Sequence, residues 1–223
     1  MSDVRFVVNQ GNPNSANNGS PVAARGNPLG ELITMPWYQQ AVFDGRVFQV
    51  QLGTENAPIN STTAIDDELV WATVDVPATT VIVPVYVEVN VATWTTGTLI
   101  DFMLEVDNAA NRYSSGGTAF TPLNLNAGSG STSNCTAYVG TDVTTSAKTS
   151  GGSLEVARLA GSENAVSTST GSETQFRWFV GDQPGPVLAG LSSLLLHFGA
   201  ASADVTGYGV IQYAEWTTNE RDL

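Results

Sequence analysis

Residues 80–92 read Thr-Val-Ile-Val-Pro-Val-Tyr-Val-Glu-Val-Asn-Val-Ala, and this stretch decides the fold class. Valine occupies every odd position from 81 to 91, while the even positions become polar toward the end of the stretch. Because side chains of a β-strand alternate between its two faces, the valines form one continuous apolar stripe. The pattern predicts a long antiparallel strand in which Val81, Val83, Val85, Val87 and Val89 face a core.

The composition around this strand is compatible with one large all-β domain. The chain has 223 residues, which is within the usual range for a single β-sandwich. Hydrophobic residues make up 42% of it, whereas charged residues make up only 13%, against roughly 25% in an average globular protein. Its polar surface must therefore come from Ser, Thr, Asn and Gly, and such a surface suits packing against protein or sugar.

The charge balance and the short apolar runs argue against nucleic-acid and membrane partners, respectively. The formal net charge is −13, Lys148 is the only lysine, and the arginines are scattered along the chain. Nucleic-acid binding requires clustered Lys and Arg to neutralise phosphates, so we predict no nucleic-acid partner. No apolar run approaches the roughly 18 residues needed to span a bilayer, so we also predict no membrane partner.

Residues 1–30 differ from the rest of the chain. A short apolar alternation containing Val4, Phe6 and Val8 is followed by a run rich in Asn, Gly, Ser and Pro, which favour turns. We interpret residues 1–30 as an extended N-terminal arm and residues 31–223 as the folded domain. The apolar alternation favours an arm that docks, either on its own chain or on a neighbour. We predict contact with a neighbouring subunit through Val4, Phe6 and Val8.

Strand patterns recur along the remainder of the chain. They predict strands at 45–52, 68–76, 80–93, 97–106, 135–145, 153–160, 174–181, 193–198 and 208–216. Residues 107–134 are predicted to be a long loop with a short strand near 118–125, and only 188–196 offers a short helix. The series predicts an antiparallel two-sheet β-sandwich, with a jelly roll favoured over an immunoglobulin-type sandwich.

Few residues suggest chemistry. Cys135 and His197 are the only cysteine and histidine, they have no partner at a characteristic spacing, and we predict no catalytic role for either. The acidic run 66–68, with Asp44 or Asp75, is an alternative calcium site. Asp101 and Glu105 lie on one strand face, but no spacing selects two carboxylates for glycoside hydrolysis. We therefore predict no enzyme activity, no resident metal and no cofactor.

Two aromatic residues are candidates for ligand stacking. Trp37 and Trp94 lie near loop or turn signals, whereas the other three tryptophans lie within predicted strands. Aromatic faces bury sugar rings well, so Trp37 and Trp94 are the candidate stacking residues of a carbohydrate-binding domain.

The polar arm, the strand series and the neutral loops together resemble the single jelly-roll virion proteins, which are capsid or capsid-decorating subunits of icosahedral viruses and phages. The resemblance is architectural and covers the whole chain. It implies a virion location, identical subunits and other capsid proteins as partners, and a homo-oligomer, with a trimer as the guess. The arm carries only Arg5 and Arg25, whereas many arms that contact a genome are basic. The alternative is a lectin-like, carbohydrate-binding β-sandwich.

Overall fold

The computed structural model describes residues 35–63, 65–93, 99–162, 175–200 and 205–218. These residues form two antiparallel β-sheets and one short helix, so the predicted all-β sandwich is confirmed. The predicted arm, with Val4, Phe6 and Val8, lies outside the described residues, and so does Trp94.

Eight strands make up most of the sandwich. They are β1 Val47–Leu52, β3 Leu69–Val76, β4 Thr80–Thr93, β5 Leu99–Asp107, β10 Ser153–Ser162, β11 Gln175–Phe179, β13 Ser192–Ala200 and β14 Thr206–Thr217. The remaining described elements are α1 Trp37–Phe43, β2 Ile59–Asn60, β6 Tyr113–Ser115, β7 Thr118–Phe120, β8 Leu123–Asn124, β9 Thr136–Thr145 and β12 Leu188–Ala189.

The order of these eight strands defines a jelly roll. In one sheet, here sheet I, the order is β11-β4-β14-β1, and in the other, sheet II, it is β10-β5-β13-β3. Counted along the chain, the eight strands pair as 6-3-8-1 and 5-4-7-2, which is the arrangement of two interlocked Greek keys. The short strand β8 extends sheet I beside β1, and β9 with β6 and β7 extends sheet II beside β3.

The core lies between the two sheets and is held by aromatic contacts. Phe102 of sheet II stacks on Phe198 of the same sheet at 4.9 Å and on Phe176 of sheet I at 5.7 Å between ring centroids. Trp71 meets Phe198 edge-on at 5.0 Å. Such offset and edge-on contacts add to the free energy gained by burying the rings, so this cluster anchors one sheet on the other.

The predicted register of the valine-rich strand is correct for only part of β4. Val87 and Val89 are fully buried in the main core, as predicted. Gln212 pairs with Tyr86 but the next residue of β14 pairs with Pro84, so Val85 is an extra residue in a β-bulge. On the N-terminal side of the bulge, the even-numbered residues of β4 face the core and the odd-numbered residues face outward.

This exchange of faces corrects the prediction for the first half of the strand. Ile82 enters the main core, whereas Val85 packs on the outer side of sheet I against Ala41 of helix α1. Val81 and Val83 pair with Trp216 and Ala214, which also belong to the outer side. Proline has no N–H to donate to a neighbouring strand, so within a sheet it is commonly found at a bulge, as Pro84 is here.

The short helix that the sequence left open at 188–196 does not form. Residues 188–189 are β12, and β13 contains the strand predicted at 193–198 and is buried along its whole length. Helix α1 instead covers residues 37–43, and Tyr38, Ala41 and Val42 pack on sheet I. Seven residues give too short a periodic pattern to predict, but the spacing of these three places them on one helical face.

Candidate functional site

The outer face of sheet II carries a buried ionic cluster that the sequence analysis did not predict. Arg112 is fully buried, and its Nη1 donates a hydrogen bond of 2.9 Å to Glu105 Oε1. Its Nε lies 3.9 Å from Asp107 Oδ2 and donates to the Ser146 carbonyl at 2.9 Å. The cluster thereby fastens the segments around residues 112 and 146 onto the sheet.

Lys148, the single lysine, completes this cluster. Its Nζ lies 2.8 Å from Asp67 Oδ1 and 3.1 Å from Glu105 Oε2. The hydrogen bond from Lys148 lowers the pKa of Asp67, and the same bond raises the pKa of Lys148. The lysine therefore links the exposed Asp67 carboxylate to the buried Glu105 carboxylate and does not protect a sheet edge, which is where lysine commonly serves in β proteins.

His197 lies beside the same cluster, with Nε2 3.9 Å from Glu105 Oε2. Its side chain is fully buried, and burial lowers its pKa from 6.5 to about 4. The nearby Glu105 carboxylate acts in the opposite direction, while the Arg112 and Lys148 cations lower the pKa further. At neutral pH the imidazole is therefore uncharged.

We expect this histidine to make the protein less stable in acid. The unfolded chain binds a proton at His197 below about pH 6.5, whereas the folded chain does so only near pH 4. The contribution of the neutral His197 to the free energy of unfolding is complete above pH 6.5. It is lost as the pH falls toward 4, by roughly 3 kcal/mol in total. Urea unfolding of the wild type and of His197→Gln at pH 7.5 and pH 4.5 measures it.

The variant comparison isolates the histidine from Asp75, because burial raises the pKa of that carboxyl and gives an opposite pH dependence. The expected result is a smaller acid loss in His197→Gln than in the wild type. An equal loss of stability in the two proteins would contradict the assignment.

The carboxylates proposed for metal binding or hydrolysis do not converge. Asp101 pairs with Arg158, whereas Glu105 pairs with Arg112 and Lys148. Asp75 accepts hydrogen bonds from Thr73 and Ser193, and Asp44 accepts one from Gln40 at 2.8 Å. Across the described ranges, no group of three or more His, Cys, Asp or Glu residues is arranged to hold a metal ion.

Cys135 lies in the core. Burial, together with the neighbouring Glu215 carboxylate, raises the pKa of its thiol above the ordinary value. Nucleophilic chemistry requires the thiolate, and this environment favours the protonated form. The surroundings of Cys135 thus suit packing.

Trp37 is in α1, half-exposed at 45%. Its ring lies 5.9 Å from Tyr38 and 6.1 Å from Trp216 between centroids, so one side of the indole is already packed. Next to Trp216 is a cleft of about 200 Å³ that is also lined by Arg46 and Glu215. This corner of the sandwich is therefore aromatic, and Trp37 is only partly covered by its described neighbours.

The outer face of sheet I divides into two regions. Helix α1 covers the apolar region around Val47, Val85 and Ala214. The other region, here the polar face, is made by outward-pointing, half-buried side chains of β1, β4 and β14. Its central residues are Gln49, Gln51, Tyr86, Glu88, Asn90 and Gln212.

Hydrogen bonds between neighbouring side chains orient the polar face. Gln212 Nε2 donates to Gln49 Oε1 at 2.9 Å, and Gln49 Nε2 donates to Gln51 Oε1 at 3.3 Å. On β4, Glu88 accepts hydrogen bonds from Tyr86 Oη and, at 2.7 Å, from Asn90 Nδ2. The side chains thus form two hydrogen-bonded rows on a rigid sheet.

The protonation states of the polar face are held by these contacts. The hydrogen bond from Tyr86 lowers the pKa of Glu88, while burial and the Glu88 carboxylate raise the pKa of Tyr86 to about 12. The Arg177 guanidinium lies 5.5 Å from the centre of the Tyr86 ring. At neutral pH the face therefore carries one carboxylate and one guanidinium among neutral amides.

The edge of sheet II presents a different surface. Strand β10 pairs with β5 on one side, and on its other side no described strand pairs with it. Leu154 and Leu159 of this strand are 56% and 40% exposed. The charged residues of β10 pair locally, because Arg158 contacts both Asp101 and Glu155. A bulge between residues 155 and 157 interrupts the strand, but it contains no lysine and no proline.

Comparison with protein-family models, with curated proteins and with solved structures gives no match to this chain. Nothing among the described residues forms a helix with the length and apolar character that crossing a membrane requires. Function is therefore inferred from the jelly-roll sandwich and from the residues on its surfaces.

Proposed function

We propose that this chain is a structural virion protein, a subunit of an icosahedral capsid shell or a decoration on it, that acts by assembly with identical subunits and other capsid proteins. The observation that carries the proposal is the long edge of β10 on which no described strand pairs, together with its exposed leucines. The jelly-roll strand order adds support, because capsid domains commonly use this fold, although lectin domains and cupins use it too.

An open sheet edge favours assembly for a physical reason. Its unpaired N–H and C=O groups form a template on which another chain can add a strand. Monomeric proteins usually block such an edge with lysine, proline, a β-bulge or inward-pointing charge. Strand β10 has one bulge, between residues 155 and 157, but it has neither lysine nor proline, and the only lysine of the chain is engaged by Asp67 and Glu105.

The proposed partner for this edge is a neighbouring copy of the chain. Its arm residues Val4, Phe6 and Val8, which lie outside the described residues, are apolar and alternate as a pairing strand requires. About twenty polar residues follow them, and a segment of that length spans at most roughly 65–70 Å. That reach is ample for contact with a neighbouring subunit, and a trimer is the proposed state.

We expect Leu154→Lys/Leu159→Lys to abolish assembly without unfolding the sandwich. Two lysines on an exposed edge oppose strand addition because their charges cannot be desolvated in the contact. The readout is light scattering after size-exclusion chromatography of the full chain, where the dissociation constant should rise at least tenfold, about 1.4 kcal/mol. Deleting residues 1–30 should have the same effect.

The matched control is Val187→Lys/Leu191→Lys, which adds the same charge at two residues that are 52% and 55% exposed on either side of β12. It should assemble as the wild type does. A wild-type chain that is monomeric at every concentration, or an edge variant that assembles normally, would overturn the assembly proposal. Mass spectrometry of purified virions tests the location.

The lectin-like alternative would use Trp37 and Trp94 as stacking residues. Trp37 packs against Tyr38 and Trp216, and Trp94 lies outside the described residues. An isolated, monomeric chain that binds sugar through Trp37 would favour that alternative over a virion subunit.

A further inference from the structure

We propose that the polar face of sheet I binds a neutral oligosaccharide. This binding site is an activity additional to assembly and does not depend on the virion proposal. The proposal is based on the side-chain hydrogen bonds that join Gln212 to Gln49 and Asn90 to Glu88. These half-buried side chains lie on the outer surface of the sheet.

The size of the face fits a short chain of sugar rings. The rows that cross the sheet run from Arg177 through Glu88 and Val210 to Gln51, over four adjacent strands. Strand spacing makes this width about 14 Å, and three such rows along the strands give a length of about 13 Å. Helix α1 bounds the face at one end, where Tyr38 contacts Phe179 at 5.2 Å.

The chemistry of the face matches hydroxyl groups. Each amide can make four hydrogen bonds, two as donor and two as acceptor. The contacts of Gln49, Asn90 and Gln212 use one or two of them, whereas Gln51 uses three because its Nε2 also donates to two backbone carbonyls. A sugar hydroxyl both donates and accepts, so it can complete the hydrogen bonding of either group. Because neighbouring side chains already fix the amides, binding loses little side-chain entropy.

Charge selects a neutral ligand over an anionic one. Glu88 is ionised, and Arg177, its register partner on β11, offsets this charge. The polar face therefore has no excess of positive charge, and the whole chain carries −13. Phosphate, sulfate or sialic acid would lose solvation without gaining an unopposed cation. A protein partner usually needs an apolar centre in its contact, whereas this face is centred on amides and Glu88.

The test measures binding of the full chain to soluble oligosaccharides by isothermal titration calorimetry. The neutral probes are the hexasaccharides of maltose, cellulose, mannan and chitin, and the anionic probes are sialyllactose and a heparin hexasaccharide. We expect at least one neutral probe to bind with a dissociation constant on the order of 1 mM or below. Gln212→Ala and Asn90→Ala should each weaken that binding at least tenfold.

The control variant is Asn108→Ala, the same amide removal at an exposed position directly after β5, which belongs to sheet II and not to the polar face. It should bind as the wild type does, and thermal unfolding verifies that all variants are folded. The proposal is overturned if no neutral probe binds, if the polar-face variants bind normally, or if only anionic probes bind. Assembly of the same samples is measured in parallel, so failure of sugar binding is distinguishable from failure of the assembly proposal.

Discussion

Val87→Asp should leave no soluble folded protein. Val87 is fully buried between the sheets, and its register partners are Ile211 on β14 and Trp178 on β11. An aspartate there places an unpaired carboxylate in the core at a cost of several kcal/mol, which is comparable to the roughly 5–15 kcal/mol that stabilise a folded domain. The measurement is the soluble fraction on expression, followed by circular dichroism of whatever remains soluble.

Two further valines make this experiment a test of the bulge in β4. Val85 lies under helix α1 on the outer side of sheet I. Val85→Asp should therefore loosen α1, and it should destabilise the protein less than Val87→Asp does. The Val187 side chain is 52% exposed, so Val187→Asp should change the free energy of unfolding by less than about 0.5 kcal/mol. If Val85→Asp were as damaging as Val87→Asp, the strict alternation inferred from sequence would be favoured over the bulge.

Arg112→Met should destabilise the sandwich by roughly 3–5 kcal/mol, because it removes the cation beside the buried Asp107 and leaves the buried Glu105 with only the partly exposed Lys148. Glu105 would lose its 2.9 Å hydrogen bond and Asp107 its neighbouring charge, while the Ser146 carbonyl would lose a donor. For a chain of this length the melting temperature should fall by roughly 6–20 °C. Differential scanning calorimetry at pH 7.5 measures the change.

The same substitution at Arg158 provides the comparison. Arg158 pairs with Asp101, but its side chain is 46% exposed, and exposed ion pairs contribute only about 0–1 kcal/mol. Arg158→Met should therefore melt close to the wild type. Equal melting temperatures for the Arg112 and Arg158 variants would show that the buried cluster has no special weight.

The strands themselves were predictable because their pattern is local. Alternation identified β4, and similar short runs identified β1, β3 and β13 with ends within a few residues of those observed. A two-residue period is a property of the strand alone, so it survives in any topology. The jelly-roll assignment followed from the number and spacing of such strands.

The bulge shows the limit of this periodicity. Pro84 was visible in the sequence and signals that the strand cannot donate a hydrogen bond there. Which face Ile82 and Val85 adopt, however, depends on how β14 pairs with both sides of the proline. Register against a partner strand therefore decided which valines reached the core.

The contacts on the outer faces of the two sheets depended still more on residues that are distant in sequence. Glu105 and Lys148 meet across 43 positions of sequence, and Gln49 and Gln212 across 163. No local pattern encodes such pairs, since they exist only when the strands are ordered within each sheet.

The sequence by itself determined the all-β class, the strands and the poverty of charge, because these follow from composition and from a period of two. Only the tertiary structure decided that the single lysine pairs with Asp67 and Glu105, that no described strand pairs with the outer edge of β10, and that polar residues of three strands share one face. The physical reason is that burial, pairing and electrostatic environment are properties of neighbours in space, which the folded topology alone brings together.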